Sequence, residues 1–315
     1  MASVLAELYF HDEKAAFGAL EVILWPNGPT CPHCGAVDRL NRLEGVRSKP
    51  SKKHPEGIVR HGLWKCYHCR GQFTVRKGTV FEASHLKLHQ WFQAAYLICS
   101  SKKGISSNQL ARTLGCTVKT AWFASHRIRK AMESENLGPL GGDMKPVEAD
   151  ETFLGRKPGR QKRRGYGHTM KVMSLVERGG EVRSIVLDKL NNQEVAKIIR
   201  KNVRRDSTLM TDSAAYYQSG IQSVAQHEMV NHQIEEYVRG EAHTNTLEGF
   251  FSIFKRGMKG VYQHCQEKHL HRYLAEFDFR YNNRIARGVD DASRTVSALK
   301  GAAGKRLMYL DSSVR

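Results

Sequence analysis

Apolar and polar positions follow three successive regimes along the chain. Over residues 1–80 an apolar stretch at 17–25 ends at Pro26, Asn27, Gly28 and Pro29, which predicts one N-terminal helix. A basic loop follows, and 72–76 alternates apolar and polar residues as a short strand does. Over 85–135 the period becomes helical. Leu88, Trp91, Phe92, Ala95 and Ile98 mark one amphipathic face. Residues 106–114 read as a second, short helix capped by Ser106, 115–117 as a turn, and 118–132 as a third helix. Residues 133–146, with Gly138, Gly141, Gly142 and two prolines, form a linker. From 147 onward strands (147–153, 169–176, 182–187, 208–212) mix with helices (191–203, 241–258, 269–281). The pattern predicts a multidomain α+β or α/β chain with domains at 1–80, 85–135 and 147–310.

Cysteine spacing sharpens the first domain. Cys31 and Cys34 form one C-x2-C pair, Cys66 and Cys69 another, with 31 residues between the pairs. Two such knuckles donate four thiolates to one tetrahedral Zn2+, so 1–80 is expected to hold a helix and a zinc ribbon with a structural, closed metal site. Arg60, Lys65, Arg70, Arg76 and Lys77 lie around it as possible DNA contacts.

In the second domain, Ala111 falls four residues before Gly115. A small residue there lets two helices approach, and glycine lets the chain turn with positive φ, as in a helix-turn-helix. Val118, Ala121, Trp122, Ser125 and Ile128 are then available for packing, leaving Lys119, Thr120, His126, Arg127 and Lys130 to face DNA.

Charge agrees with this. Fifty Lys and Arg against 31 Asp and Glu give +19, an excess that a polyanion such as nucleic acid offsets. No window approaches 18 consecutive apolar residues, and residues 1–20 lack a cationic segment followed by an apolar one. The expectation is a cytoplasmic protein with no membrane partner, in which unpaired cysteines (Cys99, Cys116, Cys265) are unremarkable.

The third domain carries acids where apolar residues are expected. Asp150 lies within a strand and Asp212 ends one; a charge buried at such a place is costly unless a cation offsets it. With 35 residues between them, Asp212 is followed by Glu248, on a helix where Asn245 and Lys255 share its face. Two Asp and one Glu can hold two Mg2+, one activating the attacking oxygen and one stabilising the departing oxygen of a phosphoryl displacement. The loop 156–164 holds Arg156, Lys157, Arg160, Lys162, Arg163 and Arg164, suited either to DNA phosphates or to solvent.

Zinc ribbon, helix-turn-helix, "VEADETFLG", "LMTDSAAYY" and "HTNTLEGFFSIFKRGMKGVY", in this order, resemble the bacterial insertion-sequence DDE transposases related to eukaryotic Merlin elements. The resemblance covers about 13–308 and implies a ribonuclease H-like mixed sheet flanked by helices. It also implies two Mg2+ or Mn2+ per active site and recognition of an element's terminal inverted repeats. By position, Asp150 and Asp212 become the first two acids and Lys255 the accompanying basic residue. For the third acid such proteins use Asn or a carboxylate, and this chain offers Asn245 and Glu248; Glu248 is favoured because a carboxylate binds Mg2+ more tightly than an amide oxygen. The expected partners are double-stranded DNA, as terminal repeats and target, and further copies of the chain in a synaptic dimer or larger assembly. The competing readings are a zinc-ribbon and helix-turn-helix regulator without catalysis, and a domesticated transposase that binds ends but no longer cuts.

Overall fold

The computed structural model describes residues 3–134, 137–157, 159–162, 164–217, 221–230 and 243–308. The described chain divides into two compact units, one of 1–101, 105–132 and 289–315, the other of 102–104 and 133–288.

In the first unit α1 (Glu13–Leu24) starts at Asp12, whose carboxylate accepts from the Ala15 N–H at 2.7 Å. Strands β1 (Leu40–Leu43), β2 (Leu63–Cys66) and β3 (Gln72–Phe73) form an antiparallel sheet in that order. Trp25 packs edge-on against Trp64 and Phe73 beside Cys31 and Cys66, an apolar cluster for an otherwise polar segment. Helix α2 (Leu88–Ser100) is capped from a distance: Glu13 accepts from the Leu88 and His89 N–H groups at 2.8 and 3.2 Å. Helix α3 (Ser107–Leu114) begins at Ser106, which accepts from the Gln109 N–H, and ends at Gly115 with φ 63°. Helix α4 (Val118–Met132) follows that turn. The expected helix-turn-helix is present with its small residue buried at Ala111.

The second unit is built on strands β4 (Pro146–Leu154), β5 (Met170–Glu177), β6 (Val182–Leu187), β7 (Thr208–Asp212) and β8 (Gln226–Val230). Their order is β6-β5-β4-β7-β8; β4, β5 and β6 are antiparallel neighbours, while β4, β7 and β8 run parallel. This is the ribonuclease H-like mixed sheet that the resemblance implied. Helix α5 (Asn192–Asn202) covers one face, burying Val195, Ile198 and Ile199 against Val147, Ala149, Met173 and Leu209. Helices α6 (Asn245–Gly257) and α7 (Glu267–Asn282) cover the other, where Phe250, Phe254 and Phe277 meet Leu154, Val172 and Val176. A π-helical turn, Met258–Tyr262, extends α6.

Two expectations need correction. The segment from 289 on, expected to belong with the 147–310 domain, packs in the first unit through α8 (Asp291–Lys300), which contacts α1, α2 and α4. Arg294 of α8 is the anchor: its guanidinium donates to the Cys99 carbonyl at 3.0 Å and pairs with Asp291. The zinc ribbon and helix-turn-helix, expected as separate domains at 1–80 and 85–135, are parts of that same unit. Of the helix expected at 241–258, residues 241 and 242 lie outside the described residues.

Candidate active site

The site grows from strand alternation. On β4, even-numbered positions face α6 (Glu148 bonds to its first turn and Leu154 joins its apolar cluster), and Asp150 lies between them. The parallel register pairs Val147 with Leu209 and Glu148 with Met210; continued by two residues, it sets Asp150 beside Asp212. Glu151 points to the α5 side, where its Oε2 accepts from the buried Tyr217 hydroxyl at 2.8 Å. At this end of the sheet, carboxylate oxygens of Asp150, Glu151 and Asp212 all lie within 4.8 Å of one another.

Three half-buried acids so close cannot all ionise cheaply. Burial, with the neighbouring charges of Asp212 and Glu248, pushes Asp150 up to about 7, although the Glu151 N–H donates to its Oδ1 at 2.7 Å and Lys255 pulls the other way. Burial and the charges of Asp212 and Asp150 push Glu151 up to about 8 against the pull of the Tyr217 hydrogen bond. A divalent cation would relieve that repulsion, and three carboxylates are the hard oxygen donors that Mg2+ or Mn2+ takes. The residues present therefore fit such an ion.

Glu248 and Lys255 are brought close enough to bear on Asp150 electrostatically. Glu248 is exposed, one turn into α6, and it stands outside the tight group of three acids. Asn245 is exposed at the first residue of the helix. Asp212 also does what a strand-end Asp does locally, accepting from the Ala214 N–H at 3.1 Å. Sequence reasoning missed Glu151. It adjoins Asp150 in "ADETF" but points to the other face of the strand, and Tyr217, which orients it, lies 66 residues away.

In the first unit the four cysteines converge. Sγ of Cys31 lies 3.6 Å from that of Cys69, and Cys34 Sγ 3.7 Å from Cys66 Sγ. Tetrahedral Zn2+ with bonds of about 2.3 Å separates its sulfurs by about 3.8 Å, so the geometry suits zinc. Crowding of the four thiols splits them: the Cys69 backbone N–H helps draw Cys66 down to about 7, while Cys34 is pushed up to about 12, a competition that a bound cation would remove.

The basic residues sort into two groups. On α4, Lys119 is exposed, Thr120 half-buried with its hydroxyl 2.9 Å from that of Thr117, and Lys130 half-buried. Arg127 corrects the expectation of a DNA contact. It is 3% exposed, donates to the carbonyls of Leu307 and Glu82, and lies over the rings of Trp91 and Phe123. Burial lowers its pKa to about 10. His126 is buried as well, and Arg76 spends its guanidinium on the carbonyls of Phe81 and Ser84. In the 156–164 loop, Arg156, Arg160, Lys162 and Arg164 are exposed, and Lys157 pairs with Glu267 of α7. Arg163 lies outside the described residues.

Comparison with known proteins points to transposases. Residues 139–282 match the ISXO2-like transposase domain, and 11–72 match the transposase zinc-ribbon domain. Both matched family models describe transposases. A relative from Halobacterium salinarum, described as an uncharacterised protein in transposable element ISH50, is 26% identical over 294 residues, covering 86% of this chain and 91% of its own. Among solved structures, the Mos1 strand transfer complex matches 66% of this chain and 74% of its own at 13% identity and a TM-score of 0.28. The simian T-cell lymphotropic virus intasome, solved with the regulatory subunit B56 gamma of PP2A, matches 54% and 63% at 12% identity, also at 0.28. No described helix of the chain is long and apolar enough to cross a membrane.

Proposed function

We propose that this transposase binds the terminal inverted repeats of an insertion sequence and catalyses metal-dependent cleavage of DNA and transfer of the cut strand to a target. The observation that carries this reading is the convergence of Asp150, Glu151 and Asp212 within 4.8 Å, with Asp150 and Glu151 held well above the ordinary carboxylate range.

Two Mg2+ or Mn2+ ions, when bound, supply an activated oxygen nucleophile and a charge partner for the leaving oxygen. Asp150 of β4, Asp212 at the end of β7 and Glu248 of α6 would hold these ions. Glu248 is preferred to Asn245 because its charge reaches Asp150. Glu151, oriented by Tyr217, completes the cluster as a further acid. Lys255, two turns beyond Glu248, would offset the charge of a DNA phosphate held at the acids. Lys119, Thr120 and Lys130 of α4, together with Arg156, Arg160, Lys162, Arg163 and Arg164, grip the duplex, largely through phosphates. Two element ends must be held together, so the working form is a dimer or larger assembly.

The test is cleavage of a supercoiled plasmid carrying the element's ends. Wild type with Mg2+ is expected to nick and join the ends; with Ca2+ it should bind without cutting. Equal cleavage by wild type and Asp150→Ala would remove the acidic cluster from the mechanism. Comparing Asn245→Ala with Glu248→Ala assigns the third position, the greater loss being expected for Glu248.

A further inference from the structure

Helix α6 begins without a cap of its own: Thr244 makes no side-chain capping bond. The helix is instead received by a carboxylate from the sheet. Glu148 of β4, fully buried, accepts from the Thr246 and Leu247 N–H groups at 3.0 and 3.1 Å through Oε2, and from the Thr246 hydroxyl at 2.8 Å through Oε1. Arg178, just past β5, donates to Oε1 from Nε at 2.7 Å and to the His243 carbonyl at 3.0 Å. His243 Nδ1 stands 3.3 Å from the same carboxylate oxygen.

We propose that Glu148 is a positioning residue for phosphoryl transfer: it locks the first turn of α6 to β4 and so fixes where Glu248 and Lys255 meet Asp150. The inference rests on the proposed function.

A buried carboxylate is an expensive way to hold a helix, because it must give up its water before hydrogen bonds repay it. Serine or aspartate at the cap would serve a helix that needed only stability. What Glu148 adds is geometry. It sits two residues before Asp150, about 7 Å along the same strand, so one rigid element carries both the acid of the cluster and the clamp on the helix facing it. Two adjacent amides bonded to one carboxylate oxygen restrain both the rotation and the axial height of α6. Glu248 lies one residue beyond the second of these amides. Groups that act on a reacting phosphate need placement to about 0.5 Å, which a helix free to rock on its apolar face does not provide.

The experiment uses the full-length chain, labelled terminal-repeat DNA at saturation, and single-turnover cleavage in Mg2+. Glu148→Gln keeps the shape but removes the charge. It is expected to cut about 100-fold more slowly while binding end DNA in Ca2+ within twofold of wild type. Hydrogen exchange at the Thr246 and Leu247 amides should accelerate at least about tenfold, with that of β5 unchanged. In a Lys255→Ala background Glu148→Gln should cost at least about threefold less than in wild type, because one of the two groups it positions is already gone. Full multiplication of the two losses would overturn the proposal, as would an unchanged cleavage rate with accelerated exchange. Should Glu148→Gln not fold, Thr246→Val, which removes one donor and no charge, carries the same cycle with an expected loss of about 3–10-fold. A wild-type chain that does not cut at all would overturn the proposed function and the catalytic side of this role, while unchanged exchange at 246 and 247 in Glu148→Gln would overturn the clamp itself.

Discussion

Asp150 shows at the scale of one residue how a site built for a cation weighs on the fold without one. Its pKa of about 7 means the folded chain keeps a proton that the unfolded chain loses near pH 4. Stability from this group is whole below about pH 4 and falls as pH rises through 7, because ν, the number of bound protons, is then larger in the folded state. Asp150→Asn carries no charge to bury. By thermal melting at pH 8 in EDTA, the second unit of this variant is expected to unfold about 2–5 °C higher than wild type, with the gain vanishing near pH 4. A lower melting temperature at pH 8 would mean that the burial of Asp150 is already offset in the metal-free chain. The residue scale is also where the sequence was least legible. Asp150, Asp212 and Lys255 stood out as charges at apolar positions or on a shared face. Glu148 and Glu151 did not, because their partners (Thr246, Leu247 and Arg178 for one, Tyr217 for the other) are 30 to 99 residues distant.

Among elements, local rules sufficed wherever the chain's own neighbours decide. The capped helix 107–114, the turn at Gly115 and the strand 208–212 follow from a serine, a glycine and an apolar run. Gly115→Ala meets no neighbouring atom but must hold a φ of 63°, so it is expected to cost about 1 kcal/mol in denaturant unfolding, with end binding retained. Strand β8 and helix α8 were illegible for a physical reason. The first buries Val230 alone at the sheet edge, and the second uses a buried Arg294 where an apolar residue would have announced a face. Arg127 misled for the same reason: a guanidinium that satisfies two carbonyls and lies over two rings is core, whatever its charge. Arg127→Met should therefore destabilise the first unit by about 2–4 kcal/mol. Lys119→Ala should leave melting unchanged and reduce the salt slope of end binding by about one unit. A reversed pair of results would restore Arg127 to the DNA surface.

Across the whole molecule, two units divide the chemistry between them. The four-cysteine centre, the helix-turn-helix and the returning α8 belong to one; the acids and α6 belong to the other. Removal of zinc by a strong chelator, or Cys66→Ser, is expected to unfold β1–β3 and weaken end binding, while the melting of the second unit and its response to Mn2+ persist. Loss of both together would mean that the units do not fold independently. The central claim, that the acids of β4 and β7 ligate the metal that cuts DNA, is tested most directly by Asp212→Cys in single-turnover cleavage of end DNA with Mg2+ or Mn2+. Sulfur binds Mg2+ poorly and accepts Mn2+ more readily. Almost no cleavage is expected in Mg2+, with recovery of at least about tenfold in Mn2+, corrected for the wild-type response to the same change. The same rate in both metals, or a wild-type rate in Mg2+, would contradict it.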